Sequence, residues 1–91
     1  MGLQHRVMEQ LKLAMKAKDS VALESLRAIK SALLVASTSG GSEVTEEDEI
    51  QIVQKLVKQR KDSAAIFIEQ GRQDLADPEL AQIAVIEQFL P

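Results

Sequence analysis

Residues 45–71 read TEEDEIQIVQKLVKQRKDSAAIFIEQG, and this stretch decides the fold. Val53, Val57, Ala64 and Phe67 recur at multiples of three and four residues, with Ile50, Leu56 and Ile68 at the edges. That is the period of one helical face and not the alternation of a strand. Thr45 followed three residues later by Asp48 is a variant of the capping box, and Glu46 and Glu47 between them favour a helix N-terminus. Gly71 supplies a left-handed cap at the far end. The spacing predicts a helix over 46–70, the longest in the chain.

Upstream, Thr38-Ser39-Gly40-Gly41-Ser42 is the clearest breaker in the sequence and predicts a loop. Before it, Ala22, Leu26, Ile29 and Leu33 form a stripe flanked by Leu23, Lys30 and Leu34, which predicts a helix over about 21–37 with Asp19 or Ser20 as its N-cap. Leu3, Val7, Leu11, Ala14 and Met15 share one face of a first helix over 3–17. Downstream, 72–77 reads as a connector. Asp77-Pro78 is a strong start signal, an N-cap followed by proline at the first helical position, for a short fourth helix ending near Phe89. With no strand pattern and no internal repeat, the expectation is an all-α fold: one domain over 1–91, a compact bundle of about four helices with short loops.

Composition agrees. The 91 residues are 45% hydrophobic but only 2% aromatic, with two phenylalanines and no tryptophan or tyrosine. A stacking platform for single-stranded nucleic acid needs aromatic faces, and those are nearly absent. The absence of cysteine excludes disulfides, thiolate metal sites and a thiol nucleophile. No apolar run approaches the length of a membrane span, and the N-terminus lacks the apolar region of a signal peptide. The expected compartment is the cytoplasm, with no membrane, metal or cofactor involved.

Charge adds two questions. Arg60 falls inside the long helix's apolar stripe, and Glu87 lies in the fourth helix's expected arc of Leu80, Ile83, Ala84 and Leu90. Either the two form an inward ion pair, or Arg60 snorkels to water past the core edge. The net charge is −3, from 14 acids and 11 bases, which argues mildly against general nucleic-acid binding. Even so, Arg27, Lys30, Lys58, Lys61 and Arg72 would form a local positive surface for phosphates if the second and third helices are neighbours. The plainer reading is a solvated face with pairs such as Lys58 and Asp62.

Catalytic patterns are missing. His5 is the only histidine and has no obvious serine or acid partner for a triad. The five acids between Glu43 and Glu49 suit a helix start and do not have the spacing of a calcium loop. Gly40-Gly41 lacks the strand and following lysine of a phosphate loop.

Four stretches taken together carry a resemblance: AMKAKD at 14–19, LRAIKSAL at 26–33, VKQRKDS at 57–63 and GRQDLA at 71–76, with the ending Phe89-Leu90-Pro91. In order and spacing they resemble the YqeY-like (GatB/YqeY) family, whose shared domain is also the tail of the GatB subunit of tRNA-dependent amidotransferases. The resemblance implies a helical first domain normally followed by a second small helical domain, which is absent from these residues. It implies a tRNA-associated accessory role, linked to glutamine-dependent amidation and its carbon–nitrogen ligase label, with no catalytic site of its own. The expected partners are tRNA, an aminoacyl-tRNA synthetase or an amidotransferase. The alternative is a protein-interaction module. In that reading Val85 and Phe89, four apart on the fourth helix, are where a synthetase, an amidotransferase or the missing domain packs; otherwise both finish the local core.

Overall fold

A computed structural model describes residues 2–39 and 43–91, so the Gly40-Gly41-Ser42 breaker lies outside the described residues. The described chain forms α1 (Leu3–Ala17), α2 (Ser20–Ser39), α3 (Glu46–Glu69) and α4 (Gln73–Glu87), with no strand among these residues. The chain is all-α, as its periodicity predicts. Helix α2 touches each of the other three, α1 packs chiefly on α2, and α3 lies along α4.

The caps explain most of the boundaries. The Asp19 carboxylate accepts from the Ala22 amide at 3.1 Å, so Asp19 rather than Ser20 caps α2. The amide of Asp19 also donates to the Ala14 carbonyl at 3.0 Å, and Lys18 donates to Met15 at 3.2 Å. These two bonds are a Schellman closure of α1. One residue therefore ends one helix and begins the next. The closure places Lys18 at φ 55, the left-handed region usually left to glycine.

The capping box of α3 forms as expected: Asp48 N–H donates to Thr45 Oγ1, and Thr45 N–H donates to Asp48 Oδ2, both at 3.1 Å. At the other end Gly71 adopts φ 71, while Arg72 N–H reaches Phe67 O at 2.8 Å and Gly71 N–H reaches Ile68 O at 3.0 Å. Helix α2 runs two residues past its expected end, with the Ser37 and Thr38 hydroxyls donating back to Leu34 O at 2.9 and 3.1 Å.

Helix α4 departs from expectation. The segment 72–77 is no connector: the Arg72 carbonyl accepts from Leu75 and Ala76 at 3.1 Å, and the helix is under way by Gln73. Pro78 sits inside the helix, near enough to its start that a single backbone bond is forgone. Fully buried Ala76 explains the early start. The inner arc then runs through Ala76, Ile83 and Ile86, while Leu80 is exposed. Ala84 and Glu87, expected on that arc, are exposed too.

The core joins Leu3, Val7 and Leu11 of α1 to Leu26, Ile29 and Leu33 of α2, and these to Val53, Val57, Ile83 and Ile86. Buried Ser25 is satisfied by donating to Val21 O at 2.8 Å. Met15 and Ile68, expected on or beside apolar faces, are half exposed at 54% and 50%. Lys18→Gly should relieve the left-handed strain and stabilise the domain by about 0.5–1 kcal/mol. In thermal unfolding followed by circular dichroism this is a rise of a few degrees in midpoint, where an unstrained loop would show none.

Candidate functional site

All five bases expected to meet phosphates are exposed: Arg27, Lys30, Lys58, Lys61 and Arg72. Two have partners on their own elements. Lys58 Nζ lies 3.1 Å from Asp62, one helical turn on. Arg72 grips Asp74 through Nε and Nη2 at 3.0 and 2.9 Å, and this holds the Asp74 carboxyl below the usual carboxylate range. Arg27, Lys30 and Lys61 have no ion-pair partner among the described residues. Lys30 lines a groove between α1 and α2, so it belongs to the side of α2 that turns toward α1. The α2 charge that reaches across to α4 is instead Glu24, which accepts from Gln82 at 3.0 Å.

That bond resolves the question of Arg60. Its Nε donates to Gln82 Oε1 at 2.8 Å and its Nη1 to the Leu56 carbonyl at 3.2 Å. Gln82 in turn donates to Glu24, so a neutral amide links a cation on α3 to an anion on α2. The expected Arg60–Glu87 pair does not form: Glu87 is exposed, because the inner arc of α4 passes through Ile83 and Ile86. Half-buried Arg60 neither snorkels freely nor meets a carboxylate directly.

Val85 and Phe89 are not an open partner surface either. Phe89 is 7% exposed and belongs to the core, while Val85 is half-buried against it. The Arg6 guanidinium carbon stands 5.1 Å from the Phe89 ring centroid, and Arg6 Nη2 donates to Gln88 O at 3.3 Å. The C-terminal turn is thereby fixed to α1.

Whole-chain charge conceals a division that counting by helix pair would have found. Residues 2–39 hold six bases (Arg6, Lys12, Lys16, Lys18, Arg27 and Lys30) against Glu9, Asp19 and Glu24, a net of +3. Residues 43–91 hold five bases against eleven acids, a net of −6. Lys58, Lys61 and Arg72 thus sit in the acidic part of the molecule. Lys12, Lys16 and Lys18, which attention to α2 and α3 had passed over, join Arg27 and Lys30 in the basic part.

His5 is exposed beside Glu9 at 3.1 Å. No three His, Cys, Asp or Glu side chains gather as a metal site among the described residues. No helix among them is long and apolar enough to cross a membrane.

The described residues form a small all-helical bundle. The chain belongs to the Yqey-like protein family, whose sequence profile matches residues 4–91. It is similar to the mitochondrial "altered inheritance of mitochondria protein 41" of Clavispora lusitaniae, 36% identical over 80 residues, which are 88% of this chain and 46% of the relative. The protein of the same name from Kluyveromyces lactis is 32% identical over 88 residues, 89% of this chain and 44% of the relative. An uncharacterized protein of Schizosaccharomyces pombe is 30% identical over 90 residues, 99% of this chain and 73% of the relative. The chain spans about half the length of the mitochondrial relatives it matches.

The Clavispora lusitaniae and Kluyveromyces lactis relatives overturn the cytoplasmic expectation, because both are named as mitochondrial proteins. The expectation rested on absent cysteine and an absent export signal. Both bear on secretion, and neither separates the cytosol from the interior of an organelle.

Gln82→Leu, which strips Arg60 and Glu24 of their link, should destabilise by about 1–2 kcal/mol in denaturant unfolding. Glu87→Gln should stay within about 0.5 kcal/mol of the parent; the reverse ranking would restore the direct ion pair. Phe89→Ala should cost about 3–5 kcal/mol, measured the same way, as expected of a core aromatic rather than a docking residue.

Proposed function

We propose that this chain is a non-catalytic, tRNA-associated accessory domain, linked through its family to glutamine-dependent tRNA amidation. It meets the RNA through backbone phosphates. The observation that carries this reading is that Arg27, Lys30 and Lys61 are exposed and free of carboxylate partners among the described residues. Lys58 and Arg72 contribute by exchanging their solvent-exposed carboxylates for phosphate oxygens, an exchange with little net cost because exposed pairs are weak. The resemblance to the tail of the GatB subunit supplies the kind of RNA. Phosphate contacts position a protein without reading bases, and a chain so poor in aromatic residues is suited to that mode. Amide transfer itself would fall to a partner enzyme, a synthetase-linked or amidotransferase assembly.

A second reading, a protein-interaction module, is favoured by apolar side chains left open to solvent, among them Leu34 at 58% and Met8 at 42% exposure. Its surface is not the one expected at Val85 and Phe89.

Fluorescence anisotropy with bulk tRNA over a salt series tests the first reading. Binding should be micromolar at low salt and fall steeply as salt rises. Lys58→Glu combined with Lys61→Glu should weaken binding to all tRNAs alike. Salt-insensitive binding, or none at low salt, would refute phosphate docking.

A further inference from the structure

The groove between α1 and α2 is lined by Gln4, Val7, Met8, Lys30, Leu33 and Leu34. Its floor is core: Val7 and Leu33 are 0% and 1% exposed. Its walls are apolar side chains in water, Met8 at 42% and Leu34 at 58%. Helical spacing extends both walls. Lys12 and Met15 follow Met8 by four and seven residues along α1, and Arg27 precedes Lys30 by three along α2. Met15 is 54% exposed, and Lys12 and Arg27 are exposed.

The charge on these walls has one sign. Lys30 lines the groove, helical spacing sets Lys12 and Arg27 one turn further along its two walls, and none of the three is paired among the described residues. The three acids of this half are turned to other tasks: Glu9 to His5, Asp19 to capping α2, and Glu24 to Gln82. Such a surface is an apolar trough with basic rims, and its methionines adapt to the shape of what they cover.

We propose that this groove receives an amphipathic helix with acidic flanks, presented by a partner protein. Its leucine-like residues, spaced at three and four, lie over Met8, Met15 and Leu34. Its carboxylates reach Lys12, Arg27 and Lys30. A nucleic acid would match the rims but leave Met8 and Leu34 facing phosphate and sugar. Arg27 and Lys30 would serve either reading, but the apolar walls take no part in phosphate contacts, and Met8 and Leu34 therefore separate the two.

The test is anisotropy of a labelled synthetic helix of about 18 residues, long enough to be helical, with leucines on one face and glutamates flanking them. The control peptide carries lysines in place of the glutamates. Micromolar binding of the glutamate peptide is expected, with no binding of the lysine peptide. Lys30→Glu and Leu34→Asp, both at exposed positions, should each weaken it about tenfold or more. Circular dichroism melts establish that both variants keep their fold. A glutamate peptide that fails to bind, or binds both variants as well as the parent, overturns the proposal. So does tight binding to phosphatidylserine vesicles without peptide binding, which would make the groove a lipid-facing surface. The uncharged Leu34→Ser should weaken peptide binding and leave tRNA affinity unchanged, and Lys58→Glu with Lys61→Glu should leave peptide affinity unchanged, so either reading can fail alone.

Discussion

Every other helix depends on the burial of α2. Leu26, Ile29 and Leu33 are essentially removed from water, and they stay so because α1, α3 and α4 each cover part of the same helix. Fixing one residue's backbone costs about 1–2 kcal/mol of conformational entropy. A chain of 91 residues with so few aromatic side chains must recover that through aliphatic contacts made on several sides of one element. Ser25 shows how tight the arrangement is, since a buried hydroxyl is tolerated there only by bonding back to its own helix.

The connection into α2 is as economical as the packing. Asp19 closes α1 with its amide and opens α2 with its carboxylate, so the hairpin turns without a loop. The C-terminal turn fastens to the other end of α1 through Arg6 and Phe89. Helix α1, which packs chiefly on α2, is thereby held at both ends.

Much of this was legible from the residues. Caps and period gave α1 and α3 to within a residue, because Thr45, Asp48 and Gly71 act locally. The start of α4 was not legible, because Asp77-Pro78 is a strong local signal that tertiary burial of Ala76 overrode. Glu87 falls on the expected arc because Leu80, Ile83, Ala84 and Leu90 also make an apolar stripe, whereas the face that is buried runs through Ala76, Ile83 and Ile86. Arg60 was legible as a charge inside the apolar stripe, with an inward carboxylate pair and an escape to water as alternatives; its partner is a glutamine on another helix, and local spacing carries no information about that choice. The surface sites fared least well. Phe89 looked like an open apolar position because an edge residue cannot be told from a core residue without the turn that folds it back. The basic positions were judged against a whole-chain total that averages two unlike halves.

Those halves give the molecule an electric dipole. Residues 2–39 and 43–91 differ in sign, so a charged body approaching from solution exerts a torque before any contact is made. A polyanion is drawn first to the side of α1 and α2, and contacts with Lys58, Lys61 and Arg72 form only after that encounter. Screening confines the effect to about 8 Å at physiological ionic strength. Orientation is therefore settled in the last molecular layer of approach, and added salt would slow productive encounter more than it would loosen a complex already seated on apolar side chains.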